Sequence, residues 1–240
     1  MGTSSDRAAG TGGAWTPLKH AATSYAKAAS RGATSPASAR RVLSLYPAVL
    51  GGAGAAATSA QSGRRGISGL GGFLSGIGSS GLGPTLDRLG LGELVGKDRF
   101  DVLDAIVTAF TGDGSDVESQ AARDAVCDVL DELFGDATTW EEINSVPVTA
   151  ETLQELLALF LSHYIYNRLP VLPERLARTM SPENAKRADA DALRLIAGLV
   201  EFHMPTDPLS FDWTGPAGRD FAAQTLSDAY EILEGEGEHT

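Results

Sequence analysis

Residues 153–166 have the sequence LQELLALFLSHYIY, which is apolar on almost every side of a helix. A helix that is apolar all round is typical of the buried centre of a helical bundle. Thr149 precedes this segment as an N-cap, and Pro170 follows it, where a helix is expected to have ended. The sequence therefore predicts a central helix around which neighbouring helices pack.

Two helices are predicted before the central one. An apolar stripe at helical spacing begins at Phe100, after an N-cap at Asp98. Ser115 and Glu118 have the spacing of a capping box at the start of the next helix, which Gly135 ends.

After the central segment, a short helix is followed by two longer helices that begin at Ser181-Pro182 and at Pro216. No convincing strand alternation is present in the sequence. The predicted fold class is all-α, with a helical bundle in the C-terminal part of the chain.

Charge is divided unevenly along the 240 residues. Residues 1–100 have a net charge of +7 and contain 20 of the 28 glycines, whereas residues 101–240 have a net charge of −19. Such asymmetry is typical of an interaction tail joined to a folded domain. We therefore expect residues 1–97 to form a flexible, basic, Gly/Ala/Ser-rich region with weak helices, and residues 98–235 to form an acidic α-helical domain.

Two features of the basic region suggest contacts with other molecules. Trp15 is a large aromatic residue in a small-residue segment, which favours an anchor for a partner's pocket, with docking on its own domain as the alternative. Residues 66–86 carry no charge but contain eight glycines and four serines, which favours a linker over a membrane-spanning helix.

The residues that carry chemistry do not form a known catalytic pattern. The chain has one cysteine, Cys127, which we expect to be a buried structural thiol, and His163 is expected to be a core or interface residue. No phosphate-binding, nucleophile-elbow or zinc-protease motif occurs. We expect no enzyme activity, no metal, no cofactor of its own, no stable membrane association and a cytoplasmic location.

The chain opens with Met1 and Gly2. Removal of the initiator methionine exposes the α-amine of Gly2, which is an unhindered nucleophile with a reference pKa near 8. Asp6 departs from the N-myristoylation pattern, which needs Ser or Thr at that position. By itself, however, a Met-Gly start is common among proteins and does not indicate a function.

A resemblance to a known family indicates a function for these opening residues. The chain resembles the B component of Qat anti-phage defence systems in its order of regions, in the glycines at positions 10, 12 and 13, and in two short stretches, Met1-Gly2-Thr3-Ser4-Ser5 and Trp15-Thr16-Pro17-Leu18. The resemblance implies a non-enzymatic partner and substrate of a QueC-like enzyme, in an operon that also encodes an ATPase and a TatD-like nuclease. It further implies a covalent 7-deazaguanine adduct on Gly2, with Thr3, Ser4 and Ser5 held in the channel of the enzyme.

Two other functions remain open from the sequence. One is a membrane-active or pore-forming effector that uses the glycine-rich residues 66–86. The other is a helical scaffold whose tail binds nucleic acid through the pairs Arg40-Arg41 and Arg64-Arg65, although the acidic second half repels a polyanion and makes such binding secondary.

Overall fold

The computed structural model describes residues 12–33, 35–112, 114–200 and 203–235. All regular structure in these residues is helical, which confirms the prediction of an all-α fold. The helices are α1 (Gly12–Ala29), α2 (Pro36–Ser44), α3 (Tyr46–Val49), α4 (Ala53–Ser59), α5 (Gln61–Ser80), α6 (Leu82–Arg88), the 3-10 turn η1 (Gly92–Leu94), α7 (Arg99–Thr111), α8 (Val117–Phe134), α9 (Trp140–Asn144), α10 (Ala150–Asn167), α11 (Val171–Thr179), α12 (Pro182–Leu199) and α13 (Pro216–Gly235).

The chain divides into two compact units. Unit 1 consists of Met1–Ser59, Leu169–Glu201 and Leu226–Thr240, and unit 2 consists of Ala60–Arg168 and Phe202–Thr225. Helices α5 and α7, which lie on either side of residue 97 in the sequence, both belong to unit 2.

Unit 2 is built around α10 and α5. The central helix α10 packs against α8 and α5, and α5 also packs against α7 and α8. The predicted N-cap is present, since the side chain of Thr149 accepts a hydrogen bond from the backbone N–H of Thr152. The buried face of α10 includes Leu153, Leu157, Phe160, Leu161, Tyr164 and Ile165.

Helix α5 differs from the flexible linker that its composition predicted. It is a 20-residue helix whose large apolar side chains, including Ile67 and Phe73, are buried. Its glycines allow aromatic rings to approach the helix backbone so closely that an added Cβ would overlap with the ring. These contacts pair Gly63 with Tyr164, Gly66 with Phe160, Gly69 with Phe110, and Gly71 with Trp213. Packing of these rings outweighs the low helix propensity of glycine.

Glu118 of α8 holds the start of α5 in place. Its carboxylate accepts hydrogen bonds from the backbone N–H groups of Ser62 and Gly63, at 3.1 and 3.0 Å, and from the hydroxyl of Tyr164 at 2.7 Å. The first N–H groups of a helix have no partner within the helix, so a carboxylate at this place satisfies them. Glu118 thus connects three helices of the core.

Unit 1 also has a close-packed core, which differs from the predicted flexible region for its described residues before position 60. Helix α1 packs against α2, α3, α11 and α12. Leu18 and Tyr25 of α1 are buried, and the Tyr25 hydroxyl donates a hydrogen bond to the carbonyl of Ala188. Alanine-rich helices can pack closely around a few large side chains, and composition alone does not reveal this.

Several predicted helix ends are confirmed. Asp98 and Ser181 cap the helices that follow them, and α13 begins at Pro216. The capping box of α8, however, is formed by Asp116 and Ser119 rather than by Ser115 and Glu118. Both pairs have the same spacing, and Glu118 is instead engaged by α5.

The predicted stripe of α7 is wrong at its first position. Phe100 is 76 % exposed and Val102 lies in the core instead, whereas Ile106, Val107 and Phe110 are buried as the stripe predicts. Within the described residues, no single helix has both the length and the apolar character needed to cross a membrane. The segments 36–49 and 53–59 meet these criteria only together, with a bend of 72° between them.

Candidate functional site

Most of the site residues predicted from the sequence lie outside the described residues. Gly2, Thr3, Ser4 and Ser5 belong to this group. Trp15 is described and lies on α1, where it is partly exposed, with the ammonium of Lys19 at 5.4 Å from its ring centroid. Leu18, one turn further along α1, is fully buried.

A groove in unit 2 has a volume of about 650 Å³. We call it the basic groove. Its charged lining consists of Arg64 and Arg65 of α5 and Arg219 and Asp220 of α13. Its apolar lining consists of Gly69, Ala109, Phe110 and Ala223.

Hydrogen bonds to nearby residues position two of the groove arginines. Arg65 donates from Nη2 to the hydroxyl of Ser62 at 3.0 Å, and Arg219 donates from Nη1 to the carbonyl of Thr214 at 2.9 Å. Each guanidinium carries further N–H groups besides the one used in this bond. The two side chains are therefore oriented while retaining donors for a ligand.

Gly69 shapes the apolar part of the groove. A Cβ at this position would lie 2.8 Å from Cδ1 and Cγ of Phe110, so only glycine allows the ring to sit against α5 here. Phe110 is in turn fixed by Phe73, with ring centroids 5.8 Å apart. The apolar wall of the groove is thus part of the core of unit 2.

The groove stands out against the charge of its unit. Unit 2 contains eight Lys and Arg residues against twenty Asp and Glu residues, whereas unit 1 contains eleven of each kind. Three of the eight cationic residues of unit 2 line this one groove. The Arg64-Arg65 pair is evident in the sequence, but Arg219 is about 150 positions away and joins the pair only in the folded chain.

A second groove of unit 2, of about 420 Å³, has the opposite charge. We call it the acidic groove. Glu132 of α8 and Glu155 of α10 line it together with apolar side chains, among which are Leu133, Leu156 and Leu159. A basic segment with apolar side chains would complement such a surface.

Other titratable groups form isolated contacts. Nδ1 of His163 on α10 lies within hydrogen-bond distance of the Asp128 carboxylate on α8. Within the described ranges, no group of three or more His, Cys, Asp and Glu side chains could hold a metal ion. These contacts connect helices rather than converge on a common cavity.

The predicted burial of Cys127 is wrong. Cys127 is exposed, because it lies one position beyond the buried stripe that contains Ala125 and Val126. Partial burial of its thiol raises the pKa, and the carboxylates of Asp124 and Asp128 raise it further. A raised pKa lowers the thiolate fraction at neutral pH and with it the nucleophilicity of the group.

Comparison with known proteins gave one family. A family model described as "Qat anti-phage system associated protein QatB" matches residues 51–233. No curated protein and no solved structure matches the chain.

Proposed function

Because the chain belongs to the QatB family of proteins associated with Qat anti-phage systems, we propose that it acts in the cytoplasm as a non-catalytic component of such a system and as the protein substrate of a QueC-like enzyme. The operon ATPase and a TatD-like nuclease are further proposed partners. The observation that carries the proposal is the family match over residues 51–233, together with the small-residue opening that starts at Gly2.

The proposed reaction is an amide ligation at Gly2. The QueC-like enzyme activates the carboxylate of a 7-deazaguanine with ATP, and the α-amine of Gly2 attacks the activated carbonyl carbon. The C–N bond forms, the activating group leaves, and the attacking nitrogen loses a proton. Glycine suits this role because its amine has no neighbouring side chain, and Thr3, Ser4 and Ser5 are small enough for a narrow channel.

The described residues support delivery of this amine to a partner. Leu18 is fully buried and fixes α1 within unit 1, and α1 begins at Gly12. A chain extends by at most about 3.3–3.6 Å per residue, so the stretch from Gly2 to Gly12 can span roughly 35 Å. Delivery of the amine to a neighbouring enzyme while unit 1 stays folded would have to use this length of chain.

Mass spectrometry tests the modification. The chain is co-expressed with its operon neighbours, with and without the QueC-like enzyme, and the intact protein and its N-terminal peptide are weighed. We expect an adduct on Gly2 with the mass of the carboxylated deazaguanine less one water, and only when that enzyme is present. Equal masses in the two samples would contradict the proposal.

A matched pair of variants identifies the acceptor. In Gly2→Leu, the large second residue causes Met1 to be retained and moves the amine away, so the adduct should be absent. Gly10→Leu makes the same substitution in the same segment but leaves the N-terminus unchanged, so the adduct should remain. Loss of the adduct in both variants, or in neither, would argue against Gly2 as the acceptor.

A second pair of variants tests docking of the QueC-like enzyme. Reversing both charges of the acidic groove with Glu132→Lys and Glu155→Lys should weaken co-purification with the enzyme and lower the modified fraction. The exposed Glu231 of α13 provides the matched reversal, Glu231→Lys, which should leave both readouts unchanged. Trp15→Ala tests the proposed anchor on α1 in the same assay.

A further inference from the structure

The basic groove of unit 2 has the dimensions of a small-molecule site. Its volume of about 650 Å³ falls within the range of roughly 300–1,000 Å³ that is typical of ligand pockets. It is formed by α5, α7, the start of α13 and Thr214 just before α13, so most of its wall is helical. The groove plays no part in the proposed modification of Gly2.

The arginines of the groove present donors that suit a phosphate group. A guanidinium presents several N–H groups in a planar fork that matches the oxygens of a phosphate group. Arg65 and Arg219 come from different helices. Each is oriented by one hydrogen bond, to Ser62 and to Thr214 respectively. Orientation before binding lowers the entropic cost of immobilising these long side chains.

The rest of the lining fits the body of a nucleotide. Ala109, Phe110 and Ala223 present apolar surface to a planar ring. Asp220 supplies a carboxylate that can accept hydrogen bonds from a base N–H or a ribose hydroxyl. A lining of this kind, partly cationic, partly apolar and with one acceptor, matches a molecule that has a phosphate at one end and a ring at the other.

The charge of unit 2 selects against long polyanions. Its twenty acidic residues exceed its basic residues by twelve, although three arginines line the groove. A nucleic acid or an acidic peptide that continued beyond the groove would meet this excess of negative charge and be repelled. A compact ligand is subject to less of this repulsion.

From these observations we infer that the basic groove binds a phosphate-bearing small molecule of the nucleotide class. Arg65 and Arg219 contact the phosphate, the apolar wall takes the base, and Asp220 accepts a hydrogen bond from the base or the ribose.

Calorimetric titration of the full chain tests this inference, with AMP, GMP and ATP as probes. Inorganic phosphate, guanosine and a single-stranded oligonucleotide are titrated in parallel. We expect at least one nucleotide to bind more tightly than phosphate or guanosine alone, because each of these supplies only part of the complementary chemistry. Binding of phosphate as tightly as of any nucleotide would overturn the inference, as would a preference for the oligonucleotide.

Two kinds of variant locate the site. The double variant Arg65→Ala/Arg219→Ala should weaken nucleotide binding by about 10- to 100-fold, since it removes charge-assisted hydrogen bonds. Ala223→Phe fills the groove without changing its charge and should also weaken binding, which separates a shaped site from general attraction to arginine.

Arg178→Ala is the matched control. Arg178 is an exposed arginine of unit 1 that pairs with Glu174 at 2.8 Å, so its loss should leave nucleotide binding unchanged. Circular dichroism of each variant establishes that it remains folded. Nucleotide binding that is unaffected by either groove variant would overturn the inference, and so would the absence of binding by all three nucleotides at millimolar concentration.

Discussion

Replacing Gly66 by alanine provides a sharp test of how unit 2 is packed. In most helices this change is stabilising by about 1 kcal/mol, because alanine has the higher helix propensity. In α5 the new Cβ would overlap with the ring of Phe160, with Cε2 at 2.8 Å and Cε1 at 3.1 Å. The structure therefore predicts the opposite sign from helix propensity.

The magnitude follows from how firmly the ring of Phe160 is held. Phe160 is 0 % exposed and stacks on Tyr164 with ring centroids 5.8 Å apart, so it cannot shift without disturbing α10. Overpacking of a close-packed core costs about 1–3 kcal/mol, and full burial of the ring places this site in the upper part of that range, above the propensity gain of about 1 kcal/mol. We expect a net loss of about 1–2 kcal/mol in the free energy of unfolding for Gly66→Ala.

The free energy of unfolding is measured by urea titration at several temperatures, with circular dichroism as the signal. Gly54→Ala in α4 is the matched control, because a Cβ there meets nothing within 4 Å, and it should be stabilising by about 0.5–1 kcal/mol. The combination of Gly66→Ala with Phe160→Leu should cost less than the sum of the two single changes, since leucine gives way to the new methyl group. A Gly66→Ala variant as stable as the unaltered chain would refute the packing argument.

Three further changes have defined outcomes. Burial, and to a lesser extent nearby carboxylates, raise the pKa of Tyr25 from 10.0 to about 12. As the pH rises, this tyrosine loses its proton in the unfolded chain before it does so in the folded chain. The free energy of unfolding should therefore fall between about pH 10 and pH 12. The stability advantage over Tyr25→Phe in urea unfolding should therefore shrink by about 1 kcal/mol between pH 8 and pH 11. Glu118→Ala leaves two backbone amides of α5 and the Tyr164 hydroxyl without their acceptor. This change should lower the free energy of unfolding by about 1–3 kcal/mol. The control Glu132→Ala, at an exposed position, should lower it by less than about 0.5 kcal/mol. Asp128→Asn removes a carboxylate that raises the pKa of Cys127, so alkylation of that thiol by iodoacetamide at pH 7.5 should become faster, and an unchanged rate would contradict the assignment.

The sequence predicted those parts of the fold that depend on local interactions. Thr149, Asp98 and Ser181 cap their helices as expected, because a cap is formed between residues two or three positions apart. The central position of α10 was also predictable, since a segment that is apolar all round has no face to expose to water.

The position of α5 was not predictable by the same reasoning. Its glycines lower helix propensity, and the rings that compensate for this come from distant parts of the chain, such as Phe160 and Trp213. Trp213 is a particularly remote partner, about 140 positions from Gly71. The basic groove escaped prediction for the same reason, because Arg219 joins Arg65 only when α13 packs in unit 2.

The two grooves of unit 2 have opposite charges and therefore favour ligands of opposite charge. A basic protein surface is attracted by the overall negative charge and by the acidic groove at Glu132 and Glu155, but it is repelled locally by the arginines of the basic groove. A small anion is attracted by the arginines of the basic groove and repelled by the acidic groove and by the overall negative charge. The proposed docking of a partner's basic surface and the proposed binding of a small anion would therefore use different grooves of unit 2. Higher salt should weaken both, because each relies on charges that are screened over about 10 Å at 0.1 M ionic strength.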